Sequence, residues 1–119
     1  MDGPGGMTTA SKIKSFACLP NGWHFGEGGP IAEREIASAL KWVEFLAECG
    51  VTETDASPGE SGSILLAAFI SGKYTQIVFE PTGEFTVSRY LRPERALYRS
   101  NLSETEARHL VHQILEEPE

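Results

Sequence analysis

Between Ser63 and Leu91 the chain carries three extended runs separated by turn-forming triplets, and this stretch restricts the possible folds more than any other. Ile64, Leu66, Ala68 and Ile70 alternate with Leu65, Ala67 and Phe69, so both faces of the first run are apolar and it belongs inside a sheet. Ser71-Gly72-Lys73 is a hairpin turn. The second run, 74–80, places Ile77 and Phe79 on one face and Gln76, Val78 and Glu80 on the other, a half-buried pattern. Pro81-Thr82-Gly83 turns the chain again into a third run, 85–91. A fourth, 95–100, follows Arg92-Pro93-Glu94, with Ala96 and Tyr98 facing together. Short turns between consecutive strands make the sheet an antiparallel meander.

A helix flanks the meander on each side. Residues 32–49 have helical periodicity and end at Gly50, a glycine suited to a helix C-terminus. Ala32, Ile36, Ala39, Leu40, Val43, Leu46 and Ala47 gather into the expected core stripe. Trp42, Phe45 and Cys49 fall on nearly the opposite side, so the helix is apolar on two sides and something must cover the second. The candidates are the segment from Phe16 to Phe25 or a binding partner. The last helix opens with a capping box, Ser103 and Glu106, preceded by Leu102, which can staple to Ala107. Ala107, Leu110, Val111 and Ile114 form its buried stripe. Residues 52–62 read as a polar loop with Pro58, Gly59 and Gly62.

The predicted fold is therefore α+β: a three- or four-stranded antiparallel meander with two helices packed on one face, in the order α-β-β-β-(β)-α. Its length of 119 residues fits one domain. Residues 1–14 are assigned to a flexible N-terminal tail, with 1–6 a possible tag remnant, and 15–119 to the single domain.

Composition narrows the function classes. The formal charge of −7 repels phosphate backbones and anionic membranes, so nucleic acid is an unfavoured partner. No apolar run approaches the ~20 residues a membrane span needs, and no secretory leader is visible, so the expected location is the cytoplasm. Two cysteines, Cys18 and Cys49, make no disulfide framework.

Several residues invite chemical readings. His109 and His112, with Glu116, fall short of the three or four fixed ligands zinc requires, so no metal or other cofactor is expected. His24 and Asp55, with a cysteine, suggest a small hydrolase-like site as the alternative to binding. Gly26-Glu27-Gly28-Gly29 lacks the upstream strand and the Lys-Ser/Thr of a phosphate loop. Arg89, Arg92, Arg95 and Arg99 with Tyr90 and Tyr98 form the single concentration of positive charge, which suits a protein contact and, as a second alternative, nucleic acid.

The motifs Leu19-Pro20-Asn21-Gly22-Trp23-His24-Phe25-Gly26-Glu27-Gly28, Thr54-Asp55-Ala56-Ser57-Pro58-Gly59 and Phe79-Glu80-Pro81-Thr82-Gly83 occur here in that order. This arrangement resembles a set of small uncharacterised bacterial proteins with a Leu-Pro-x-x-Trp-x-x-Gly-x-Gly opening and a Glu-Pro-x-Gly strand turn. The resemblance implies a bacterial or mobile-element origin and carries no activity with it. Ser57, where a large aromatic is more usual, and the arginine-rich fourth strand depart from the pattern.

The functional expectation is a non-enzymatic protein-binding module, of the inhibitor, antitoxin-like or accessory kind found in bacterial defence or mobile-element systems. Its partner is another protein or a second copy of the chain, contacted through Trp23, Trp42, Phe45, Arg89, Arg92, Arg95 and Arg99.

Overall fold

The structure, a computed structural model, describes residues 8–19, 31–59, 61–70, 73–91 and 94–116, with residues 91 and 94–96 described as backbone only. The fold is α+β; among the described residues it has a five-stranded antiparallel sheet and three α-helices. In chain order these are α1 (Thr9–Ser15), a 3-10 turn (Phe16–Cys18), α2 (Glu33–Glu48), β1 (Thr54–Pro58), β2 (Ile64–Ile70), β3 (Lys73–Phe79), β4 (Phe85–Leu91), β5 (Glu94–Leu102) and α3 (Glu104–Leu115). Spatial order follows chain order, a plain meander.

Two elements add to the expected set. β1 lies in the stretch read as a polar loop, and α1 lies largely in the stretch assigned to the tail. The helix α1 is capped by Thr8, whose side chain accepts from the Ser11 amide, and it buries Ile13 completely. The folded unit thus includes residues 8–14.

One face of the sheet makes the core. Alternation and register place Ala56, Leu66, Ile77 and Val87 in one row and Ile64, Phe79 and Phe85 in the next. All are buried and cluster with Ile13, Ala39, Trp42, Leu46, Ala107, Val111 and Ile114 from the helices. This is the inner face. The outer face carries Leu65, Ala67 and Phe69 of β2, Tyr74, Gln76 and Val78 of β3, and Thr86, Ser88 and Tyr90 of β4.

The local signals at the helix ends hold. At the end of α2, Val51 N–H donates to the Leu46 carbonyl (2.8 Å) and Gly50 N–H to that of Ala47 (3.0 Å). With Gly50 at φ +87°, this is a Schellman motif, and Val51 is buried as its apolar anchor. At the start of α3, Ser103 N–H donates to Glu106 Oε1 and Glu106 N–H to Ser103 Oγ, closing the capping box.

The α2 stripe, however, is rotated from the expected one. Its buried residues are Glu35, Ile36, Ala39, Trp42 and Leu46, and Trp42 has 0% exposure. Leu40 and Val43 are half-buried and Ala47 is exposed. The expected stripe weighted each apolar residue equally, whereas an indole has far more area to hide than an alanine methyl, so the helix turns to bury Trp42.

Candidate functional site

The residues that cover Trp42 and Phe45 belong to the protein itself. Phe79 and Phe85 approach the Trp42 ring from the sheet, at centroid distances of 5.9 and 5.5 Å. From α3, the Arg108 guanidinium lies over both rings, and His112 meets Phe45 edge-on at 5.2 Å. Trp42 is therefore a core residue and not a contact for a partner, and Phe45 is half-buried beneath α3. Cys49, expected in an apolar patch beside Phe45, is exposed and free, as is Cys18.

Of the four arginines, the side chains of Arg89 and Arg99 are described, and they differ in burial. Arg89 occupies the inner-face row of Ala68, Thr75 and Leu97 and is only 4% exposed. Burial holds its pKa below the usual arginine value. Arg99 stands opposite Val87, exposed at the sheet edge, with Nη1 donating to the Tyr98 carbonyl. Arg95 stands opposite Tyr90, a register position of the other face. The reason is β5, where register shifts set Ser100 and Asn101 against Thr86 alone and leave Ala96 without an opposite residue. Each bulge resets the alternation along β5.

Arg92, Trp23 and His24 lie outside the described residues. Asp55 is exposed on β1 and paired with Lys12, Nζ to Oδ1 2.5 Å. That bond, aided by the Ala56 amide and opposed by slight desolvation, holds its pKa below the ordinary carboxylate value.

The outer face joins Phe69 and Tyr74, which no sequence pattern marks as a site, to Tyr90 and Tyr98 of the arginine-rich stretch. Phe69, Tyr74 and Tyr90 line up across β2, β3 and β4, with ring centroids 5.7 Å apart at both steps. Gln76 Nε2 donates to the Tyr74 hydroxyl at 3.0 Å and fixes the middle ring. Phe69 is 51% exposed and Tyr98 48%, the two large hydrophobic side chains most open to solvent among the described residues. The first pair was within reach of the sequence. The antiparallel pairing of Ile70 with Lys73 makes Phe69 and Tyr74 direct cross-strand neighbours.

Both sheet edges depart from a regular open strand among the described residues. Phe69 N–H bonds the Glu53 carbonyl, so residues 54, 56 and 58 turn their backbone groups outward. Thr9 Oγ1 donates to the Thr54 carbonyl, the Ala56 N–H is taken by Asp55 Oδ1, and Pro58 has no N–H. At the opposite edge the two bulges break the regular ladder of β5.

Two clefts adjoin the sheet. One, of about 340 Å³, lies between α2, the β3–β4 turn and α3, but most of its charged groups serve the fold. Arg34 binds Glu35 and the Pro81 carbonyl, Glu80 accepts from Thr86, Glu84 from Asn101, and Glu104 holds Arg108. The other, of about 440 Å³, opens on the outer face beside β1 and is lined by Glu53, Asp55, Ala67, Phe69 and Tyr74 among others. Among the described residues no group of three or more His, Cys, Asp or Glu side chains is arranged to hold a metal ion, and no helix is long and apolar enough to cross a membrane.

Compared with protein-family models, curated proteins and solved structures, the chain matches none.

Proposed function

We propose that the chain is a non-enzymatic protein-binding module that takes its partner on the outer face of the sheet. The observation that carries this reading is the Phe69, Tyr74 and Tyr90 row, with Tyr98 on the adjacent strand, lying opposite the face that packs on the helices. Aromatic rings supply large contact area with little loss of side-chain freedom, and they are enriched where proteins meet. A folded domain with a complete core on one side has no structural need for such a row on the other. The acidic balance of the chain favours a partner of basic character, and the motif resemblance agrees with a bacterial or mobile-element setting.

The test is quantitative capture from bacterial lysate by the wild-type chain, by Phe69→Ser, and by His109→Ala as a control on the helix layer. A protein retained by the wild type and the control and lost by Phe69→Ser supports the reading, provided all three melt within a few degrees of one another. The same set retained by all three overturns it. Sedimentation equilibrium addresses the remaining occupant: a wild-type dimer that Phe69→Ser converts to monomer makes the partner a second copy.

A further inference from the structure

We infer that the cleft beside β1 is the specificity pocket of this outer face and receives an arginine side chain of the partner protein, an assignment that rests on the docking reading above. Three features of the cleft agree on that chemistry. Its wall is aromatic: Phe69 and Tyr74 both line it, their rings meeting edge to face at 70° with centroids 5.7 Å apart. Its rim is acidic, with Glu53 and Asp55, and one cation, Lys12, reaches it to pair with Asp55. Its carboxylates differ in how far the fold already uses them, since Glu53 has no ion pair among the described residues while Asp55 holds Lys12.

A guanidinium satisfies both surfaces at once. Its plane stacks on a ring, and its N–H groups lie in that plane, aimed at carboxylates beyond the ring edge. An ammonium group is a compact point charge that cannot stack in this way. Phosphates and carboxylates are repelled by the rim and by the net charge of −7. The Lys12–Asp55 pair shows that a cation settles at this rim, and it places Lys12 in competition with an incoming guanidinium for the same oxygen.

The experiment titrates the full chain, labelled for amide NMR, with a blocked hexapeptide of alternating glycine and arginine. Parallel titrations use the matching lysine and citrulline peptides and free arginine. Saturable shifts centred on Ala67, Phe69 and Tyr74 are expected with the arginine peptide. Phe69→Ala and Glu53→Gln should each weaken binding about tenfold, and Lys12→Met should tighten it several-fold by releasing Asp55. Citrulline, which keeps the shape and loses the charge, should leave the spectrum unmoved.

Equal binding of citrulline or lysine peptide, shifts elsewhere on the chain, or weaker binding by Lys12→Met would overturn the assignment, and so would free arginine binding as tightly as the peptide. Failure here is separable from failure of the docking reading. If the arginine peptide does not bind while Phe69→Ser still strips a partner in capture, the pocket assignment falls and the docking face stands. If Phe69→Ser strips nothing, the docking face falls first.

Discussion

The guanidinium carbon of Arg108 lies 5.3 Å from the centroid of the Trp42 ring and 4.8 Å from that of Phe45. Glu104, one turn earlier on α3, holds the same guanidinium, Nη2 to Oε2 3.2 Å. The second aromatic side of α2 is thus closed by a charged side chain whose stem is apolar and whose head interacts with ring faces. Trp42 is buried between this cover and Phe79 and Phe85 of the sheet.

Removing the cover is expected to be felt at the core. Arg108→Ala should lower stability by about 1–2 kcal/mol, and Arg108→Met, which keeps a long apolar stem, by less. Urea unfolding with an unchanged m-value measures the difference; a wild-type midpoint for Arg108→Ala would mean that the contact contributes nothing.

Trp42→Ala should cost about 3–5 kcal/mol, a large part of the stability of an ordinary domain. Trp42→Phe should be much milder, because the indole Nε1 is buried with no hydrogen-bond partner among the described residues and its loss breaks no bond. Thermal melts of the two variants test this order, and a cooperative wild-type melt for Trp42→Ala would contradict the burial.

Gly50 tests the backbone alone. At φ +87°, with no heavy atom within 4 Å of an added Cβ, Gly50→Ala should destabilise by about 1 kcal/mol through conformation and not collision. Gly50→Asn, which tolerates the left-handed region, should cost less. Equal midpoints for glycine and alanine would place the end of α2 in another conformation.

The acid limb of the stability profile should report Lys12 and Asp55. The folded-state pKa of Asp55 is lowered from its ordinary 3.8, chiefly by the hydrogen bond from Lys12. A depressed carboxyl pKa means the unfolded chain binds the proton more readily. The stabilisation is therefore complete above the ordinary value and is lost as pH falls through the lower folded one. Asp55→Asn and Lys12→Ala should each flatten the fall in urea midpoint from about pH 4 downward. Glu106, lowered by the Ser103 amide and hydroxyl, contributes to the same limb with the same sign. An unchanged slope in both Asp55→Asn and Lys12→Ala would remove the pair from the acid response.

How far the fold was legible depended on the range of the interaction. The Ser103 and Glu106 capping box, the glycine at the end of α2, and the Ile64–Ile70, Lys73–Phe79 and Phe85–Leu91 meander rest on contacts between residues close in the chain or joined by short turns. β1 escaped notice because its five residues, Thr54-Asp55-Ala56-Ser57-Pro58, show one buried apolar side chain and otherwise the composition of a loop. Only its pairing with β2 makes it a strand.

The candidate site was legible only in pieces. Phe69 and Tyr74 could be paired by counting outward from the hairpin, but the two bulges of β5 destroy the simple alternation from which the faces of Arg95, Tyr98 and Arg99 would be read. The arginines of residues 89–99 form one run in the chain, but burial is decided by packing: Arg89 lies inside on β4 while Arg99 is exposed on the edge strand β5.

From the amino-acid order alone follow an acidic α+β chain, its meander, its longer helices and the signals that end them, all set by periodicity and local hydrogen bonding. The tertiary structure alone decided which side of α2 is inside, that a guanidinium covers its rings, and which aromatics are left facing solvent. These outcomes depend on how differently sized side chains from distant segments share one packed volume, and no local pattern encodes that competition.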